Sequence, residues 1–194
     1  MHRNLLGLAL VCGMLAPSAW AEDRSAEITP RDILDHVSIG YLAHDVSGLW
    51  SGFRLEPAAT AVNLDIAFAP HIAILGGAIR PALGGTIVNG SGTSYGYADA
   101  RYEIEGPYRT FFGIGLGLAV HDGMLTRDHP LFVDMHDRKA LGSRALFHVP
   151  IEIGVTLAEK LRLSAYFEHV SNGWIGTSVN EGMDNIGGRV GYKF

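Results

Sequence analysis

Apolar and polar residues alternate with a period of two along most of this chain. Successive strand side chains point to opposite faces, so each such stretch reads as a strand with one apolar face and one polar or small face. In a first segment, ending at Ala43, Val37, Ile39 and Tyr41 alternate with Ser38 and Gly40. In a second, Val62, Leu64, Ile66 and Phe68 alternate with Asn63, Asp65 and Ala67. A third, from Ile72 to Thr86, is weaker, because Gly76-Gly77 and Gly84-Gly85 interrupt it and Pro81 points to a bulge or bend. In a fourth, Ala98, Ala100, Tyr102 and Ile104 face away from Asp99, Arg101, Glu103 and Glu105. The fifth is the clearest: Tyr108, Thr110, Phe112, Ile114, Leu116, Leu118 and Val120 share one face, and Gly113, Gly115 and Gly117 lie on the other. A sixth sets Ala145, Phe147, Val149, Ile151, Ile153 and Val155 against Arg144, His148, Glu152 and Thr156. A seventh sets Leu161, Leu163, Ala165 and Phe167 against Arg162, Ser164, Tyr166 and Glu168, and an eighth sets Ile186, Val190, Tyr192 and Phe194 against Arg189 and Lys193.

Alternation says only that the two faces differ. A soluble barrel would bury the apolar face; a membrane barrel would turn it to lipid. Two features decide. The polar face carries Asp65, Asp99, Arg101, Glu103, Glu152, Arg162, Glu168 and Arg189, too many charges for a small dry core unless they pair with one another in a lumen. The chain also ends Val190-Gly191-Tyr192-Lys193-Phe194, which resembles the terminal aromatic signature of outer-membrane barrels. The prediction is therefore an all-β fold, an eight-stranded antiparallel transmembrane β-barrel, with a lumen filled by side chains rather than an open channel.

With both strand-bearing ends in the periplasm, odd strands run outward. The short turn Ala158-Glu159-Lys160 is then periplasmic, and the long segments Asp122 to Leu141 and Asn172 to Met183 are extracellular. Residues 1–21 read as a secretory signal peptide: a basic start at His2-Arg3, an apolar stretch from Leu5 to Ala16, and an Ala19-Trp20-Ala21 cleavage site. That stretch is shorter than the ~20 apolar residues a spanning helix needs. Residues 22–194 form one barrel domain, which Glu22 to Leu34 enter as a periplasmic lead-in.

Composition narrows the chemistry. The single cysteine, Cys12, lies in the signal peptide, so the mature domain has neither a disulfide nor a thiolate site. A net charge of -5 argues against a nucleic-acid partner. The stretch from His121 and Asp122 through His129, Asp134, His136 and Asp137 resembles a metal cluster, but its spacing fits no specific ligand motif. No metal and no cofactor is expected. Its apolar tip, Pro130-Leu131-Phe132-Val133, is placed to dip into the outer leaflet, as are Trp174 and Ile175. Trp50 and the tyrosines are assigned to interfacial girdles.

One stretch carries chemistry. His169 and Ser171 sit two residues apart on the seventh strand and share its face with Leu161, Leu163, Ala165 and Phe167. Asp184 opens the eighth strand with the parity of Ile186 and Val190. The two strands form a hairpin, so a nucleophile, a base and an acid converge on one lipid-facing patch at the extracellular rim. Polar groups belong there if the substrate is itself a membrane lipid, and the outer leaflet offers lipopolysaccharide.

The residues His169-Val170-Ser171-Asn172 and Asn180-Glu181-Gly182-Met183-Asp184 resemble the motifs of the PagL-type lipid A 3-O-deacylases, acyloxyacyl hydrolases of the outer membrane. The likeness extends to Ala140-Leu141-Gly142-Ser143-Arg144 and to the Gly191-Tyr192-Lys193-Phe194 end. The resemblance implies a metal-free carboxylic ester hydrolase that removes the acyl chain at position 3 of lipid A. It implies Ser171 as nucleophile, His169 as general base and Asp184 as the acid orienting it. Asn172, Gly173 and Asn180 are candidates for stabilising the oxyanion and positioning the substrate. The acid departs from the family's commoner Glu: Asp is one methylene shorter, which asks for a close approach of the last two strands, and Glu181 is the alternative orienter. Two other readings stay open, a structural or adhesive barrel without chemistry and an acyltransferase using the same triad. Self-association into a homodimer is one way in which such a site could be covered.

Overall fold

The computed structural model describes residues 28–51, 55–57, 59–126, 138–175 and 178–194. The signal-peptide reading of residues 1–21, most of the lead-in, and the loop residues His129 to Asp137 lie outside the described residues. Among the described residues nine strands form one antiparallel sheet: β1 (Leu34–Ala43), β2 (Thr60–Phe68), β3 (Ile72–Ile74), β4 (Gly77–Asn89), β5 (Tyr95–Glu105), β6 (Thr110–His121), β7 (Ala145–Leu157), β8 (Leu161–Ser171) and β9 (Met183–Lys193). Each long strand pairs with its neighbours in sequence, and β1 pairs with β9. The pairing of β2 with β4 completes the ring. The result is a closed barrel of eight long strands, with no free edge within it.

The ninth strand accounts for the weak third segment. Leu75 (φ +49°) and Gly76 (φ +78°) are both left-handed, as a tight two-residue hairpin turn requires. The turn folds the three-residue β3 back onto the start of β4, and β4 then runs on to Asn89. The bulge expected at Pro81 is not there: β4 pairs with β5 in unbroken register from Ala78 to Thr86. Pro81 falls between the residues that pair with β3 and those that pair with β2, where a missing N–H breaks neither ladder.

The faces are those of a membrane barrel. Leu116, Leu118 and Val120 on β6 are each close to 60% exposed, while Asp65, Asp99, Arg101, Glu152, Arg162 and Arg189 are buried in the lumen. These charges pair as expected. Arg101 bonds Asp65 at 3.0 Å and Asp99 at 2.7 Å, Arg189 meets Asp65 at 2.8 Å, and Arg162 clasps both oxygens of Glu103. The guanidinium groups of Arg162 and Arg189 also lie over the rings of Phe111 and Tyr166. Two details differ from expectation. Glu168 pairs with no arginine among the described residues; its carboxylate accepts from His148, Thr86, Tyr95, Tyr166 and Asn185. Tyr95 and Tyr97 are not girdle residues but buried lumen residues, because β5 begins earlier than its charge pattern suggested and carries their side chains inward.

The short connections 69–71, 106–109 and 158–160 gather at one end with the C-terminus, where the Phe194 N–H bonds the Asp35 carbonyl. Longer connections occupy the opposite, extracellular end: 44–59, 90–94, 122–144 and 172–182.

Candidate active site

The β8–β9 ladder sets His169 directly opposite Asp184, with Phe167 opposite Ile186 one step further along the same face. Directly opposed residues hold their Cβ atoms within about 5.5 Å. An aspartate is therefore long enough, and register, not an unusual approach of the strands, meets the demand of the shorter acid. His169 Nδ1 lies 2.6 Å from Asp184 Oδ1, and His169 Nε2 lies 2.9 Å from Ser171 Oγ. The imidazole thus bridges an acid and a hydroxyl. In the neutral tautomer with its proton on Nδ1, the ring donates to Asp184 and leaves the Nε2 lone pair facing the Ser171 hydroxyl.

The site is half-covered. Asp184 has the parity of the lipid-facing residues, yet its side chain is fully buried. The cover comes from Val46, Trp50 and Ser51 in the 44–59 connection. The Ser51 N–H donates to Asp184 Oδ2 at 2.6 Å, and the Val46 N–H donates to the Asp184 carbonyl at 2.8 Å. The Trp50 indole stands edge-on to the His169 ring, 5.2 Å between centroids, and packs in the same way on Phe167. Trp50 is therefore a wall of the site rather than a girdle residue.

After Ser171 the chain turns sharply. Gly173 (φ +62°) and Trp174 (φ +63°) are both left-handed, and the Ile175 N–H returns to the Asn172 carbonyl. This turn leaves Trp174 and Ile175 largely exposed beside the hydroxyl. Asn172 is buried, and its amide is fully used. It donates to the Leu141 and Val179 carbonyls and accepts from the Trp174 N–H, so its NH2 group is not available to an oxyanion. Asn180 accepts from the Asn172 N–H through Oδ1. Neither the Asn180 side-chain NH2 nor the Gly173 N–H has an acceptor among the described residues. Glu181 is not on His169: its carboxylate takes the Ala140 N–H at 2.5 Å, tying this loop to the Ala140–Arg144 stretch.

A second set of buried polar groups lies behind the site, and alternation could not reveal it because most of it sits in loops. Glu56 accepts from His44 Nε2, from the N–H and hydroxyl of Thr93 and from the Lys139 N–H. Burial alone would push its carboxyl up, but these hydrogen bonds, that of His44 foremost, hold it below the ordinary range. Lys139 is fully buried, and its ammonium joins Asp45 Oδ1 at 2.6 Å to the Gly182 carbonyl at 2.7 Å. All four extracellular connections are thereby fastened together. Among the described residues no group of three or more His, Cys, Asp or Glu is arranged to hold a metal. His121 is occupied by the Ser143 carbonyl and the Gly123 N–H.

Fold and rim together define an eight-stranded outer-membrane β-barrel with a polar site open to the outer leaflet. The chain belongs to the lipid A 3-O-deacylase (PagL) family, whose family model matches residues 75–193. Among solved structures it is similar to the crystal structure of the outer membrane enzyme PagL, with a TM-score of 0.58 and 18% identity over 82% of this chain and 99% of that one. It also resembles the outer membrane protein Ail of Yersinia pestis, with a TM-score of 0.44 and 12% identity over the same shares. No curated protein matches the chain.

Proposed function

We propose that this member of a lipid A deacylase family hydrolyses the ester that carries the 3-hydroxyacyl chain at position 3 of lipid A, using Ser171, His169 and Asp184. The observation that carries the reading is the imidazole bridge. His169 reaches Asp184 with one nitrogen and Ser171 with the other, on the outward face of the rim, where an outer-leaflet ester would lie.

The reaction runs in two halves. In the first, His169 Nε2 takes the Ser171 proton as Oγ attacks the ester carbonyl, and Asp184 steadies the imidazolium that forms. The carbonyl oxygen becomes an oxyanion, for which the Gly173 N–H and the Asn180 side-chain amide are the proposed donors; losing one such donor in other hydrolases costs about 3–4 kcal/mol. Collapse breaks the bond to the sugar oxygen, which leaves as a hydroxyl with the proton from His169. In the second half, water gives a proton to His169 and attacks the acyl-serine, releasing the fatty acid and restoring Ser171. Trp174 and Ile175 hold the apolar part of the lipid at the mouth of the site.

The test is mass spectrometry of lipid A from cells expressing the wild type or Ser171→Ala at equal level in the outer membrane. Loss of one hydroxyacyl chain with the wild type alone is the expected result, and fragmentation reports the position. Unchanged lipid A in both would overturn the reading, and a chain moved to another lipid rather than freed would make the protein an acyltransferase.

A further inference from the structure

The 44–59 connection lies outside the residues matched to the family, yet it grips the first residues of β9 from both sides. On the outer side it supplies the Ser51 N–H to Asp184 Oδ2 and the Val46 N–H to the Asp184 carbonyl. On the inner side the next residue, Asn185, accepts from His44 Nδ1 and from the Asp45 N–H through its side-chain oxygen. The connection is itself anchored by the buried Glu56 and Lys139 bonds. The would-be Cβ of Gly182 lies 3.2 Å from Ser51 Cβ and 3.3 Å from His169 Cε1, so this connection, the 172–182 loop and the imidazole meet at one point.

We infer that residues 44–51 of this connection are part of the active-site apparatus and that the Ser51 main-chain N–H is a positioning group for Asp184; the inference rests on the triad reading above. A carboxylate can rotate about its Cβ–Cγ bond. Holding Oδ2 with a charge-assisted bond from a fixed amide leaves Oδ1 aimed at His169 Nδ1. Ser51 is bonded to Asp184 and not to the Ser171 hydroxyl. It acts through Asp184, and chiefly through its main-chain N–H.

The test compares Ser51→Pro, which removes the N–H, with Ser51→Ala, which keeps it, in purified barrels whose folding is checked by heat-modifiable gel migration. Substrate is lipid A in mixed micelles. Ser51→Ala, which loses the hydroxyl but keeps the N–H, is expected to lose far less kcat than Ser51→Pro. Ser51→Pro is expected to lose about 10–100-fold in kcat with little change in KM, as for other residues that orient a reacting group. In an Asp184→Asn background the same proline is expected to cost nothing further, because the bond it breaks no longer orients a carboxylate. A proline penalty that persists undiminished beside Asp184→Asn, or no penalty at all, would overturn the inference. Should the proline variant fail to fold, the amide proton resonance of Ser51 decides. It is expected to shift upfield in Asp184→Asn, and an unmoved resonance overturns the assignment. If Ser171→Ala is as active as the wild type, the triad reading fails first, whatever Ser51 does.

Discussion

His169 and Asp184 are cross-strand partners, and the 2.6 Å bond between Nδ1 and Oδ1 runs straight across the β8–β9 ladder. The acid is thereby fixed by sheet register rather than by a loop. Asp184→Asn preserves the shape but presents the imidazole with an amide that can stabilise the wrong tautomer. On the proposed mechanism kcat falls by about 10³–10⁴-fold while the barrel stays folded. Asp184→Glu is expected to recover only part of the rate, because the longer side chain cannot keep both the His169 bond and the Ser51 bond. Rates on lipid A, read beside heat-modifiable gel migration, check both.

Gly117 is the tightest point of the lumen on β6. A Cβ there would stand 2.1 Å from the Ala98 carbonyl oxygen and 2.7 Å from Asp99 Cα, both backbone atoms that cannot step aside. Gly117→Ala is expected to destabilise the barrel by about 1–3 kcal/mol or more, the usual cost of overpacking. Gly113, whose nearest neighbours would be 3.8 Å from an added Cβ, is expected to accept alanine. Urea unfolding in detergent compares the two.

Those glycines, the eight segments and the lipid-facing parity of His169 and Ser171 were legible because a strand's period of two survives in the sequence. The same parity brought Asp184 to that patch, and the likeness to a known family pointed to the polar loop residues. What stayed hidden has a common physical character. The Ser51 and Val46 contacts to Asp184 are made by main-chain N–H groups, which every residue except proline carries. Glu56, Lys139 and Asp45 lie in or beside irregular connections without periodicity, and they act over long sequence distances. Asn172 looked like an oxyanion donor by its place beside Ser171, but the turn after it consumes both of its amide hydrogens. Leu75 and Gly76 blurred the third segment because a hairpin turn interrupts the alternation there.

Trp174 is a bulky residue held at φ +63° and is largely exposed next to Ser171. The left-handed region disfavours L-residues by about 1–2 kcal/mol. Trp174→Gly is therefore expected to stabilise the turn, yet to raise KM for lipid A by removing apolar contact with the lipid. A raised KM with kcat near the wild-type value is the signature of lost uniform binding. Steady-state rates over a range of lipid A concentrations in micelles separate the two parameters.

The extracellular clamp is expected to loosen in acid, with a sign set by Glu56. Its carboxyl sits below the ordinary range of about 4.3 because the folded state donates hydrogen bonds to the charged form. Such a group contributes its full stability above the unfolded value and loses it as pH falls through the depressed folded value. Asp45, raised by burial against the pull of Lys139, works with the opposite sign and offsets part of this loss. Hydrogen-exchange protection of the connecting loops, taken relative to the intrinsic amide rate at each pH, is expected to fall below about pH 4 in the wild type. Glu56→Gln is expected to be less protected at neutral pH and to show a flatter acid response.

Glu168 stands next to His169 in sequence but on the opposite face, inside the lumen. It is fully buried, accepts five hydrogen bonds, and shares His148 with Asp99. The alternation of the strand already sets it on the lumen face, and its direction along the strand argues for a structural role. Glu168→Gln replaces an acceptor-only carboxylate with an amide whose NH2 would face donors such as Thr86 and Tyr95 or the His148 ring. Breaking one partner of a buried charged pair typically costs about 3–5 kcal/mol, so the variant is expected to unfold at markedly lower urea. The fraction that does fold is expected to deacylate lipid A at close to the wild-type rate per folded molecule, because the Glu168 side chain points into the lumen and bonds neither His169 nor Ser171. Normalising activity to the folded band on a heat-modifiability gel makes the distinction. A rate per folded molecule that falls as far as that of Ser171→Ala would move Glu168 into the catalytic machinery.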